Sequence, residues 1–104
     1  MITTTQNEVA GREIAHTFGI VRGNTIRARH IGTDFVAGLR TLVGGEITEY
    51  TKLMAEAREQ AMDRMLAQAQ ELGADAIVGV RFTTSTVLQG SAELLAYGTA
   101  VKFR

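Results

Sequence analysis

Two histidines, His16 and His30, and an arginine set among apolar neighbours, Arg81, are the side chains here whose types could do chemistry. Imidazole is the commonest metal ligand and the side chain that gains and loses a proton near neutral pH. Both histidines fall in a β-like stretch, Gly11 to Ile31, with Gly23-Asn24 at its middle. Glycine at the first central position suits a two-residue type II′ turn, which predicts a hairpin of Ile14–Val21 against Ile26–Ile31. That turn sets His16 opposite Ile31 and His30 opposite Thr17. Neighbouring strand residues point to opposite faces, so the two imidazoles do not converge within one subunit. His30 and Asp34 are separated by a strand end and a helix start, and share no helical face.

Arg81 lies between Val80 and Phe82 and faces away from them. A hairpin turning at Gln89-Gly90 places it across from Gly98, which leaves room for its guanidinium. An ion pair, for example with Glu93, is the ordinary use of such a residue. The alternative is a ring of arginines in an oligomer, holding an anion or a carboxylate. Tyr97, on the same strand face as Leu95, Val101 and Phe103, joins Arg81, His16 and His30 as a ligand or interface candidate. Arg27 and Arg29 share a face with Thr25, but no aromatic side chain interleaves with them, so the stacking element of single-strand nucleic-acid binding is missing. Gly44-Gly45 precedes a helix start, a generic anion site, without the Lys-Ser/Thr of a phosphate loop or the G-x-G-x-x-G of a dinucleotide fold. Ser85 and Ser91 lack a local base. The motifs name no catalytic residue and indicate no cofactor or metal set.

These residues are positioned by a short list of elements. Ile2–Thr5 is a short β-prone segment. After the proposed hairpin, Thr33-Asp34 offers a side-chain cap to a short helix in which Phe35, Leu39 and Leu42 recur at helical spacing. From Glu46 to Leu72 the chain reads as one long helix. Tyr50, Met54, Ala57, Ala61, Met65, Ala69 and Leu72 form its apolar stripe, and Leu53, Met62 and Leu66 widen it. Gly73 stands where a left-handed cap is expected. Ala76–Val87 and Ala92–Phe103 read as a hairpin, with Val78, Val80 and Phe82 on one face. The expected fold is therefore α+β, in the order β-β-β-α-α-β-β, an antiparallel sheet of two hairpins packed on the long helix and the short one. Both faces of the last two strands are apolar, whereas a sheet wet on one side alternates apolar with polar. A second copy of the chain is the economical cover, so the fold is expected to form oligomers.

The 104 residues predict one domain. Eleven basic and eleven acidic residues cancel, which removes the attraction that drives non-specific binding to nucleic acid or anionic membranes. There is no cysteine, no signal-peptide pattern and no apolar run long enough to span a bilayer. The expectation is a cytoplasmic protein with neither nucleic acid nor membrane as partner.

Over nearly its whole length the sequence resembles the YbjQ-like family of small uncharacterised proteins carrying a heavy-metal-binding label. The resemblance rests on Gly19-Ile20-Val21 with Gly23, Asp34-Phe35, Gly44-Gly45, Tyr50, Ala57-Arg58, the run Gly73 to Val80, and Ala96 to Val101. It implies an α+β subunit in a homo-oligomer, with a pentamer as the expected state, and no established activity. Soft heavy metals favour thiolate and thioether ligands, and this chain has no Cys and only scattered Met. Three functions stay open from sequence. The first is a non-enzymatic homo-oligomeric scaffold or small-ligand-binding assembly. The second is a metal-binding protein using oxygen and nitrogen ligands from different subunits. The third is an enzyme acting on an anionic small molecule.

Overall fold

A computed structural model describes residues 1–27, 48–88 and 91–104, with side chains described for 1–26, 51–86 and 92–104. In chain order the elements are β1 (Ile2–Thr3), β2 (Ile14–Arg27), α1 (Thr48–Glu71), β3 (Ala76–Leu88) and β4 (Ser91–Phe103). The strands form one mixed sheet in the order β1-β3-β4-β2, antiparallel except for the β1–β3 pair. The class is α+β, as expected. The predicted short helix at Thr33–Leu42 lies outside the described residues.

The first predicted hairpin is absent. Ile14–Arg27 runs straight through Gly23-Asn24 as a single strand and pairs along its length with β4, from Ile14 opposite Phe103 to Arg27 opposite Ala92. The physical reason lies above Gly23. A Cβ there would overlap the carbonyl oxygen of Ala61 and the amide nitrogen of Met65. This glycine serves a close approach by the helix rather than a turn. The buried stripe of α1 is Ala57, Ala61, Met65 and Ala69, each fully buried and each one four-residue step along. With Val21, Ile77, Val80, Ala96 and Ala100 most of this stripe makes the main core, and Phe18, Met62, Leu66 and Ala74 pack against it. The small side chains let helix backbone approach strand backbone at Gly23.

Two glycine bulges decide which residues face the helix. Gly19 (φ 112°) lies at a register shift in β2, and Gly79 (φ 62°) at one in β3. Such angles are open to glycine at little cost. The extra residue lets Phe18 and Val21, and likewise Ile77 and Val80, turn towards the helix although each pair is three residues apart. Val78 therefore does not share the face of Val80. It lies on the opposite side with Ala76, Val101 and Phe103, covered by Val9 and Ile14. Beyond that small roof the second face of the sheet is uncovered by any described residue.

The helix also closes an edge of the sheet. β2 is an edge strand, and its outward amide at Arg22 donates to Gln68 Oε1 at 2.7 Å while its outward carbonyl at Asn24 accepts from Arg64. Gln68 and Arg64 are one helical turn apart and so reach alternate residues of the strand. At its C-terminal end α1 stops as the sequence predicts. Gly73 (φ 78°) donates to the carbonyl of Gln70, and Ala74 to that of Ala69, which is the Schellman pattern.

Gly23→Ala is expected to cost about 1–3 kcal/mol, because the obstructing atoms are helix backbone and cannot turn aside. Thermal denaturation should show a fall of about 5 °C or more. An unchanged melting temperature would mean that the seam is looser than described.

Candidate ligand-binding face

Among the residues singled out from sequence, the structure brings two together. Arg81 is directly across from Tyr97, not Gly98, because the register shifts by one between Thr86 and Leu88, on the turn side of it. Tyr97 is 37% exposed on the uncovered face. The same residue lies across from Arg22 on its other side. Arg22, Tyr97 and Arg81 thus form one rung over three adjacent strands. The next rung holds Asn24, Leu95 and Thr83, and the one after it Ile26, Glu93 and Ser85.

The expected ion pair of Arg81 with Glu93 is not formed. Arg81 Nη1 instead donates to the carbonyls of Thr5 and Val80, both at 2.8 Å, which steadies the guanidinium against the segment leading out of β1. Glu93 accepts from the Asn24 amide at 2.9 Å. Sequence reasoning missed Arg22 because it put a turn at the next residue. The available signal was the run Val21-x-Gly23-x-Thr25, which keeps a two-residue period across the supposed turn; all three residues are buried against α1.

His16 does not lie opposite Ile31. It pairs with Lys102, and its ring meets Phe18 edge-on at 4.7 Å between centroids. The imidazole is exposed and its strand neighbour is a cation, which disfavours a bound metal ion. His30, Arg29 and Gly44-Gly45 lie outside the described residues, as does the side chain of Arg27. Ser85 is across from Glu93, with no histidine alongside, so no nucleophile–base pair is assembled there.

An open depression at Glu8, Gly11, Arg12, Glu13 and Ile14 is built from structural pairings. The Arg12 guanidinium covers the Phe103 ring at 4.2 Å, and Glu13 pairs loosely with Arg104 at 3.9 Å, both exposed. The opposite corner of the sheet end is tied by Asp75. Its Oδ2 accepts from the Phe103 amide at 2.9 Å, its own amide donates to Val101, and Lys102 Nζ lies 3.7 Å from Oδ1.

The family model described as "Putative heavy-metal-binding" matches residues 1–104. This chain belongs to the YbjQ family. Its relatives include a UPF0145 protein of Methanococcus vannielii, 62% identical over 104 residues that cover 100% of this chain and 99% of that one. A UPF0145 protein of Archaeoglobus fulgidus is 56% identical over 104 residues, covering 100% of this chain and 96% of its own. Among solved structures, a protein of unknown function from Pediococcus pentosaceus, placed in the DUF74 family, superposes with a TM-score of 0.65 at 19% identity. The match covers 100% of this chain and 98% of the other. That likeness shows the fold alone.

The donor set does not fit the YbjQ family's metal description. The chain has no cysteine, and among the described residues no three His, Cys, Asp or Glu side chains cluster as ligands would. Met65 is fully buried in the core and Met62 packs against it, so their thioethers are filler.

Asp75→Ala should strand the Phe103 amide and loosen the end of the sheet, at a cost of about 1–3 kcal/mol. Urea unfolding should register it as a lower midpoint with an unchanged slope. A midpoint equal to that of the unaltered chain would show that water replaces the carboxylate without loss.

Proposed function

We propose that this YbjQ family member is a non-enzymatic subunit of a cytoplasmic homo-oligomer, acting as a scaffold or holding a small ligand at its interfaces. The observation that carries this reading is the uncovered face of the sheet. Ile20 is 75% exposed and Ile26 58% exposed there, in line with Leu95 and Tyr97. The subunit is also thin and long, with extents of 55 × 25 × 17 Å and a radius of gyration of 17.1 Å, against about 13 Å for a compact chain of this length. A flat layer of this kind leaves apolar area that a monomer ordinarily buries. Five-fold order follows from the family resemblance. Net neutrality supports partners other than nucleic acid or membrane, and no described helix is long and apolar enough to cross a bilayer.

The family's printed description favours a second reading, metal held by oxygen and imidazole ligands from several subunits. Titration with zinc, nickel and copper separates the two. Binding that survives His16→Ala together with His30→Ala would eliminate the imidazole version.

Light scattering at micromolar concentration should return a multiple of the 11.2 kDa subunit, five-fold if the resemblance holds for symmetry. Ile20→Lys combined with Ile26→Lys should lower that mass while leaving the far-ultraviolet circular dichroism unchanged, since both side chains are exposed in the subunit. A monomer for the unaltered chain would end the proposal.

A further inference from the structure

We infer that the rung Arg81–Tyr97–Arg22 is a binding site for a small planar ligand bearing a phosphate, of which a mononucleotide is the simplest. Register puts the three residues side by side on one face, Tyr97 opposite Arg81 in β3 and opposite Arg22 in β2. Adjacent strands are about 4.8 Å apart, so the two arginine Cα atoms are about 10 Å apart with the tyrosine midway. That span suits a ring lying on the phenol with its phosphate at one flank. A guanidinium presents a rigid fork of donors that matches phosphate oxygens two at a time, and an aromatic face stacks any flat base.

Charge supports an anion. The described ion pairs use Lys102 with Asp75 and Arg104 with Glu13; no described carboxylate lies within 4.0 Å of either Arg22 or Arg81. Arg81 Nη1 is held on the β1 side of its strand, away from β4, by two neutral carbonyls, which leave its charge uncancelled for a phosphate reaching past Tyr97. Arg22 is anchored at its amide by Gln68, and no described group holds its side chain. Glu93, two rungs away, is engaged by Asn24. The neighbouring Thr99 and Thr83 offer hydroxyl partners to a sugar or a base edge. A polymer of nucleotides is a poor fit, because the chain has no net charge and this rung has one aromatic ring.

The site deepens the small-ligand arm of the proposed function and rests on it, yet all three residues belong to one subunit. Calorimetry of the full chain with AMP, adenosine and inorganic phosphate tests it, with light scattering on the same samples. AMP should bind more tightly than either fragment. Arg22→Ala and Arg81→Ala should each weaken AMP about tenfold, and Tyr97→Leu should weaken AMP while leaving phosphate unchanged. Thermal melts of each variant verify folding; Arg81→Lys, which keeps the charge and loses the fork, serves in place of Arg81→Ala if that protein melts early. No binding at millimolar AMP, or equal affinity in both arginine variants, overturns the inference. Phosphate binding as tightly as AMP, with Tyr97→Leu indifferent, overturns it too. An assembled protein that ignores AMP sinks the site and spares the assembly. A monomer that binds AMP does the reverse.

Discussion

The contact between the alanine stripe of α1 and the glycine- and alanine-rich centre of the sheet sets the rest of the molecule. Ala57, Ala61 and Ala69 meet β2 and β4 at a distance that leaves no space for a methyl group on Gly23. Gly98 is under the same constraint from within the sheet, since a Cβ there would come within 2.7 Å of Ile77 Cγ2. So tight a seam leaves no room for a ligand between α1 and the sheet at Gly23. The other face of the sheet is the more open to a ligand or partner, and α1 has taken part of one edge through Gln68 and Arg64.

That division explains the electrostatics. Among the described residues the helix side buries one polar side chain, Thr25, with the Ala57 carbonyl 3.5 Å from its hydroxyl. Opposed to it is a face that mixes isoleucine, tyrosine and arginine, too apolar to be simple solvated surface and too polar to be core. Such mixtures are typical of recognition surfaces, in which aromatic and arginine side chains are enriched. The heavy-metal description of the YbjQ family has no counterpart in this chemistry, which offers cations and a phenol.

What the sequence reveals follows from how local the causes are. Helix α1 was legible because its four-residue alanine step and its Gly73 stop are written within one segment. The β3–β4 pair was legible because its strands are neighbours, with Leu88 directly opposite Ser91. Gly23-Asn24 misled, since a glycine required by a helix some forty residues away looks the same as one required by a turn. The irregularities of β3 misled in a subtler way: a register shift between Thr86 and Leu88 moves Arg81 by one position, the bulge at Gly79 puts Val78 and Val80 on opposite faces, and nothing in the local pattern announces either. The candidate site inherited both errors. Arg81 and Tyr97 were visible separately, while Arg22 could join them only once β2 was known to be continuous.

The strand order carries a consequence for how the chain folds. β4 comes last among the described strands yet occupies the middle of the sheet, hydrogen-bonded to β3 on one side and to β2 on the other. Its pairing with β3 is a local hairpin, whereas its pairing with β2 joins residues as far apart as Ile14 and Phe103. Loop-closure entropy makes the second step slow relative to the first. Until it is complete, the early strand lacks the one strand partner it has among the described residues. The order of synthesis and the order of assembly are thus opposed, and the first-made half of the chain waits for the last-made strand.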